Sequence, residues 1–265
     1  VPHEGVHRRV RASIQEGRTV DIDYKPGSAD ITYHATPEEA ATHKAKRGSV
    51  MAGLFGAGGG KPDDGSKVEH IAWTRAPPTL ASTILAELNA CRRDPKDYAD
   101  KMIAPLEAQY KGRTFVPPDE RTPARQTKEG VKAVRECLKQ LRKAKPCAPL
   151  TRKAGLDLAA DEHVKDLAKA EKGKGGVGHV GTDGSHPQLR MSRHGVWYGI
   201  AGEMLAYREL TAEAVVAQML ICDGLASRLY RHIAMNPEMR VCGIAVAEPP
   251  SLTTVAAVDL ADGFG

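Results

Sequence analysis

His179 and Glu203 stand 24 residues apart in the stretch from Gly178 to Leu205. An imidazole and a carboxylate at one spot can act as an acid/base pair or supply two ligands to a divalent metal. The turn formers Gly181, Asp183, Gly184, Ser185 and Pro187 lie between them, followed by a short helical run from Gln188 to His194. A loop, a turn of helix and a Gly-Glu step would bring the two groups together. Spacing alone leaves a plainer alternative open, a solvated loop histidine and a glutamate at a helix N-terminus. No nucleophile system stands beside them. Ser185 and Ser227 lack a G-x-S-x-G elbow, and Ser185 reads as turn chemistry with Asp183 and Gly184.

Apolar residues at helical spacing predict a helix over Thr79 to Met102, carried by Leu80, Ile84, Leu85, Leu88 and Cys91, with a break at Asp94-Pro95. A second helix is expected over Leu150 to Lys172, with Leu150, Ala154, Leu158, Ala160, His163 and Leu167 toward the core. A third runs from Thr211, its N-cap, to Asp223, burying Val215, Val216, Met219 and Leu220. Arg240 to Ala247 and Leu252 to Leu260 read as strands joined at Pro249-Pro250. Helices followed by β-branched strands define an α+β sandwich.

Residues 1–76 do not read as a domain. Thr19 to Tyr24 and Asp30 to Tyr33 alternate like short strands, Pro37 to Lys46 starts like a helix capped by Thr36, and Gly53 to Gly65 is a hinge by composition. Their apolar content is too thin for a separate core. We expect an extended arm that docks on or wraps a partner, ahead of one domain at residues 77–265. The chain has 265 residues, a net charge of +5 and 41% hydrophobic residues, enough for one sizeable core plus an appendage. No apolar run is long enough to span a membrane, and the stretch that opens at Val1 carries no signal-peptide core. The five cysteines form no C-x-x-C pair, which favours an intracellular setting over a disulfide-forming one.

The run from Lys128 to Lys143 is amphipathic. Val131, Val134, Leu138 and Leu141 fall on one stripe, and Lys128, Lys132, Arg135, Lys139 and Arg142 on the other. Between Arg121 and Lys153 eleven Lys and Arg face two acids, Glu129 and Glu136. Such a face is either plain solvated surface or a docking surface for something acidic. Nucleic acid ranks last among acidic partners, because only 5% of residues are aromatic and no binding fold accompanies the charge.

Gly178 to Leu205 resembles the H-x-G-x-D-G-S-x-P…GEN signature of the CAP/SCP superfamily, the cysteine-rich secretory, antigen 5 and pathogenesis-related proteins. The likeness continues through Ile84-Leu85…Leu88-Asn89…Arg92 and Leu156…Leu158-Ala159-Ala160…His163. It runs on through Asp223-Gly224…Ser227-Arg228…Arg231…Asn236-Pro237…Gly243-Ile244-Ala245, and it covers roughly residues 82 to 263 in the order of the microbial branch. The resemblance implies a three-layer α-β-α sandwich whose cleft gathers two histidines and acidic partners, able to bind zinc in some members. His179 matches the first histidine and Glu203 the glutamate of GEN. The second histidine is replaced by Tyr230, and the Asn of GEN by Met204. His163, Asp223 and Arg231 fall at positions that would stand behind the site. Tyrosine is a poor metal ligand at neutral pH and two ligands do not make a catalytic zinc site. We therefore expect a vestigial site with no metal, no cofactor and no hydrolysis.

Three classes follow. The first is a non-catalytic component of a larger assembly, docked by its arm and basic helix. An acidic filament or microtubule lattice is one candidate partner, placing the chain at the cytoskeleton, a cilium or a flagellum. The second is a secreted CAP protein binding sterol or another lipid. The third is a metal-dependent hydrolase using His179 and Glu203.

Overall fold

Val241–Ala247 and Val255–Phe264 are rich in small and β-branched residues and are buried along most of their length. Such strands belong inside a sheet covered on both faces. The computed structural model describes residues 8–14, 18–24 and 33–35 as backbone strands, and residues 79–117, 123–170, 178–247 and 254–265. The strands are β1 (Arg8–Ile14), β2 (Arg18–Tyr24), β3 (Tyr33–Ala35), β4 (Tyr110–Lys111), β5 (Thr114–Phe115), β6 (Arg125–Gln126), β7 (Thr151–Arg152), β8 (Trp197–Tyr207), β9 (Val241–Ala247) and β10 (Val255–Phe264). The main sheet has the order β3-β8-β10-β9-β7, with β8, β10 and β9 antiparallel and β7 parallel to β9. β1 pairs with β2, and β4, β5 and β6 form a small three-stranded sheet.

The helices are α1 (Leu80–Arg93), α2 (Pro95–Tyr98), α3 (Val131–Leu141), α4 (Ala154–Ala170), α5 (Pro187–His194), α6 (Ala212–Ile221) and α7 (Leu229–Ala234). They lie on both sides of the sheet. Ile84, Leu88, Val134, Leu138, Val216 and Leu220 pack with Met204, Ala206, Val258 and Leu260. On the opposite face Leu156, Ala159 and Met191 meet Ala201 and Ala261, and Ala160, Val164 and Leu167 meet Leu205, Val255 and Ala257. The two-residue period of the strands thus assigns Ala201, Glu203 and Leu205 of β8, and Val255, Ala257, Asp259 and Ala261 of β10, to the α4 side. Gly243 of β9 lets α4 come close, since a Cβ there would lie 2.0 Å from the Leu156 carbonyl carbon.

The architecture is α+β, and several boundaries correct the expectations. The first helix stops at Arg93, where Asp94 caps the next turn by accepting from Asp97 N. Helical turns then continue to Gln109. Leu158 is 53% exposed instead of core-facing, because the buried stripe of α4 runs through Leu156, Ala159, Ala160, His163, Val164 and Leu167. Leu150 is buried but precedes that helix. On α3, Ala133 and Cys137 share the buried side with Val134, Leu138 and Leu141, while Val131 is half-buried. β8 itself was not anticipated. The expected helix at Pro37 and the glycine hinge lie outside the described residues. All five cysteines are free, and no described helix is long and apolar enough to cross a membrane.

Candidate functional site

Glu203 sits in mid-β8 and Asp259 in mid-β10, directly opposite each other in the ladder. Like charges in that position repel, so their environment must separate their protonation states. α4 contributes His163, α5 contributes Arg190, and the loop before α5 contributes His179. The loop is shaped by an Asx turn, with Ser185 N donating to Asp183 Oδ1 at 2.8 Å and Gly184 at φ +80°.

Glu203 Oε1 accepts from His179 Nδ1 at 2.7 Å, and Oε2 accepts from Arg190 Nη2 at 2.9 Å. A carboxylate cannot donate, so His179 Nδ1 carries a proton, and its Nε2 is hydrogen-bonded to the Tyr230 hydroxyl at 2.7 Å. The tyrosine ring stands edge-on to the imidazole. Arg190 is tied further by its Nη1 to Ser185 O at 2.7 Å and its Nη2 to His179 O at 3.1 Å. His163 Nε2 donates to Gly178 O at 2.9 Å and lies 3.6 Å from Glu203 Oε1. Within this cluster Arg190 Nε, His163 Nδ1 and both carboxyl oxygens of Asp259 have no hydrogen-bond partner among the described residues.

Burial alone would raise the Glu203 carboxyl. The His179 hydrogen bond and the Arg190 charge outweigh it, and the group is held below the usual carboxylate range. Asp259 goes the other way. Burial, then the charge of Glu203, pushes it well above its ordinary value. Its protonated form is therefore favoured beside the Glu203 carboxylate. Burial and the nearby Arg190 hold His163 neutral by lowering its pKa, against the pull of Glu203.

The CAP resemblance implies a divalent ion here, and the residues present do not fit one. Both ring nitrogens of His179 and both oxygens of Glu203 already have protein partners. The Arg190 guanidinium holds the face of the carboxylate that a cation would need. Among the described residues no group of three or more His, Cys, Asp and Glu is placed to hold a metal.

His179, Glu203, Tyr230 and His163 therefore come together, and two other expected residues do not. Asp223 accepts from Lys128 N at 2.6 Å and Glu129 N at 2.8 Å, holding the segment that leads into α3. Arg231 donates to Leu220 O, Ile221 O and Gln140 Oε1, because one helical step past Tyr230 turns it toward α3 and α6. Arg190 and Asp259 were missed. Asp259 had a signal, a lone acid in the apolar run Val255–Leu260, whereas Arg190 reads like any arginine of a basic helix.

The five basic residues of the α3 face are all exposed. Arg135 pairs with Glu107 at 2.8 Å and Arg142 with Asp100 at 2.7 Å. Lys128, Lys132 and Lys139 form no ion pair among the described residues. Glu129 and Glu136, the two acids of the region, are both drawn inward onto Arg228, at 2.6 and 2.7 Å. No protein-family model, no curated protein and no solved structure matches the chain.

Proposed function

We propose that residues 77–265 are a CAP-type three-layer α-β-α domain without catalytic activity, and that the chain is a structural component of a larger assembly. The arm of residues 1–76 and the outer face of α3 dock it to an acidic surface such as a filament or microtubule lattice. The observation that carries the non-catalytic reading is the mutual engagement of Glu203, His179 and Tyr230. The atoms that would bind a metal or activate a water bind one another. Docking is supported by the inward capture of Glu129 and Glu136, which leaves the outer face of α3 cationic.

Co-sedimentation with polymerised microtubules at low and high salt tests this reading. The wild-type chain should pellet with the polymer at low salt and be released at high salt. The triple reversal K132E/R135E/K139E should weaken binding at least tenfold, and Glu203→Gln should leave it unchanged. Binding that survives the reversal but is lost in Glu203→Gln would invert the proposal.

A further inference from the structure

A cavity of about 490 Å³ opens between the helical turns ending at Gln109, the small β4-β5-β6 sheet and α6. That volume lies in the range of small-molecule sites. Tyr110, Phe115, Tyr207 and Tyr230 bring four aromatic rings to its walls, and Leu106 and Leu210 line it as well. Four rings around one space favour a flat, conjugated guest over a flexible chain.

One end is polar. Arg125 lies over the Phe115 ring, 4.7 Å from its centroid. Its Nη2 donates to Glu209 Oε1, which also accepts from Gln218 Nε2 at 2.8 Å. Its Nη1 is buried and has no hydrogen-bond partner among the described residues. A buried donor left over beside a cavity calls for an acceptor atom. That acceptor should be neutral, because one guanidinium, already paired, stands among three carboxyl residues of the lining, Glu209, Glu213 and Asp223. An anionic head would meet net repulsion, and a cationic head has no lone pair to offer Nη1.

We propose that this cavity binds a neutral, flat, largely apolar molecule carrying one carbonyl oxygen, which accepts from Arg125 Nη1 while its rings stack among Tyr110, Phe115, Tyr207 and Tyr230. The binding is independent of docking through α3 and needs no chemistry at His179.

The probe is prodan, a neutral naphthyl ketone whose emission moves to the blue in an apolar site, titrated into the full chain. Saturable one-to-one binding is expected. Ala214→Trp, which fills the cavity from the α6 wall, should weaken it at least tenfold. Arg125→Met should weaken it at least fivefold, and circular dichroism of both variants checks that the fold is kept. cis-Parinaric acid, an anionic fatty-acid probe, should fail to displace prodan. Absence of a saturable shift, or binding unchanged by Ala214→Trp, overturns the site. Loss with Ala214→Trp but not with Arg125→Met overturns the carbonyl assignment, and displacement by parinaric acid replaces the neutral ligand with a fatty anion.

Discussion

Glu203 and Glu209 lie six residues apart and are equally buried, each with 3% of its surface exposed. Their carboxyls nevertheless behave in opposite ways. Glu203 is held below the usual range, whereas Glu209 is pushed up to about 7. Burial is common to both, so it cannot be the difference. Glu203 is met on both oxygens, by His179 and Arg190, with Asp259 opposite it in the ladder. Glu209 has Arg125 and Gln218 on one oxygen, at the edge of an apolar space. The number and spread of donors decide whether a buried carboxylate stays charged. A carboxylate saturated by its own protein has nothing to offer a ligand, and a half-served ion pair beside a cavity does.

The sharpest way to break that contrast is to remove each arginine. Arg190→Met should cost about 3–5 kcal/mol in urea unfolding at pH 7, because it leaves an ionised Glu203 buried opposite Asp259. Arg125→Met should cost only about 1 kcal/mol, since Glu209 can take up a proton near neutral pH. Equal losses in the two variants would mean that the two carboxylates are not held differently.

The pH dependence sharpens it further. Glu209 has a folded pKa above its unfolded value of about 4.3. Between those values the folded chain holds a proton that the unfolded chain has lost, so stability falls as pH rises from about 4.3 to about 7. Glu209→Gln should remove that decline and stabilise the protein above pH 7 by on the order of 3 kcal/mol. Asp259 has the same sign, so Asp259→Asn, which cannot ionise, should stabilise the protein at the alkaline end of the series relative to wild type. Glu203 contributes oppositely. Its stabilisation is present above the unfolded pKa and is lost as pH falls through the depressed folded value. Chemical denaturation at a series of pH values checks all three; a Glu209→Gln curve as steep as wild type would remove the distinction.

The helices could be read in advance because their apolar stripes repeat at helical spacing and their caps are local, as with Thr211 accepting from Ala214 N. β8 could not. Its sequence, Trp-Tyr-Gly-Ile-Ala-Gly-Glu-Met-Leu-Ala-Tyr, mixes glycine with helix formers, and it is pairing with β10 and β3 and cover on both faces that make it a strand. That tertiary decision turned Glu203 from a helix-end glutamate into the centre of a buried network. The Tyr230 position followed from the motif register and met His179. Asp223 and Arg231 share that motif, yet they serve α3 and the end of α6, which the spacing of a single segment does not reveal. The Leu158 error is of the same kind, since α4 has several apolar positions and only the sheet selects which of them face it.

The smallest expected effect tests whether Tyr230 is anything more than a cap on the network. Its hydroxyl is hydrogen-bonded to His179 Nε2, and its ring forms part of the cavity wall. Tyr230→Phe removes the first contribution and preserves the second. The cost in thermal unfolding should be about 1 kcal/mol, the worth of one buried hydrogen bond, and prodan affinity should stay within about twofold of wild type, because a change of 0.4 kcal/mol or so is all that a lost hydroxyl outside the carbonyl contact should cause. A loss of prodan binding in this variant would show that the ligand reaches the hydroxyl and therefore the Glu203–His179 chain. The closed network and the open cavity would then be two ends of one site.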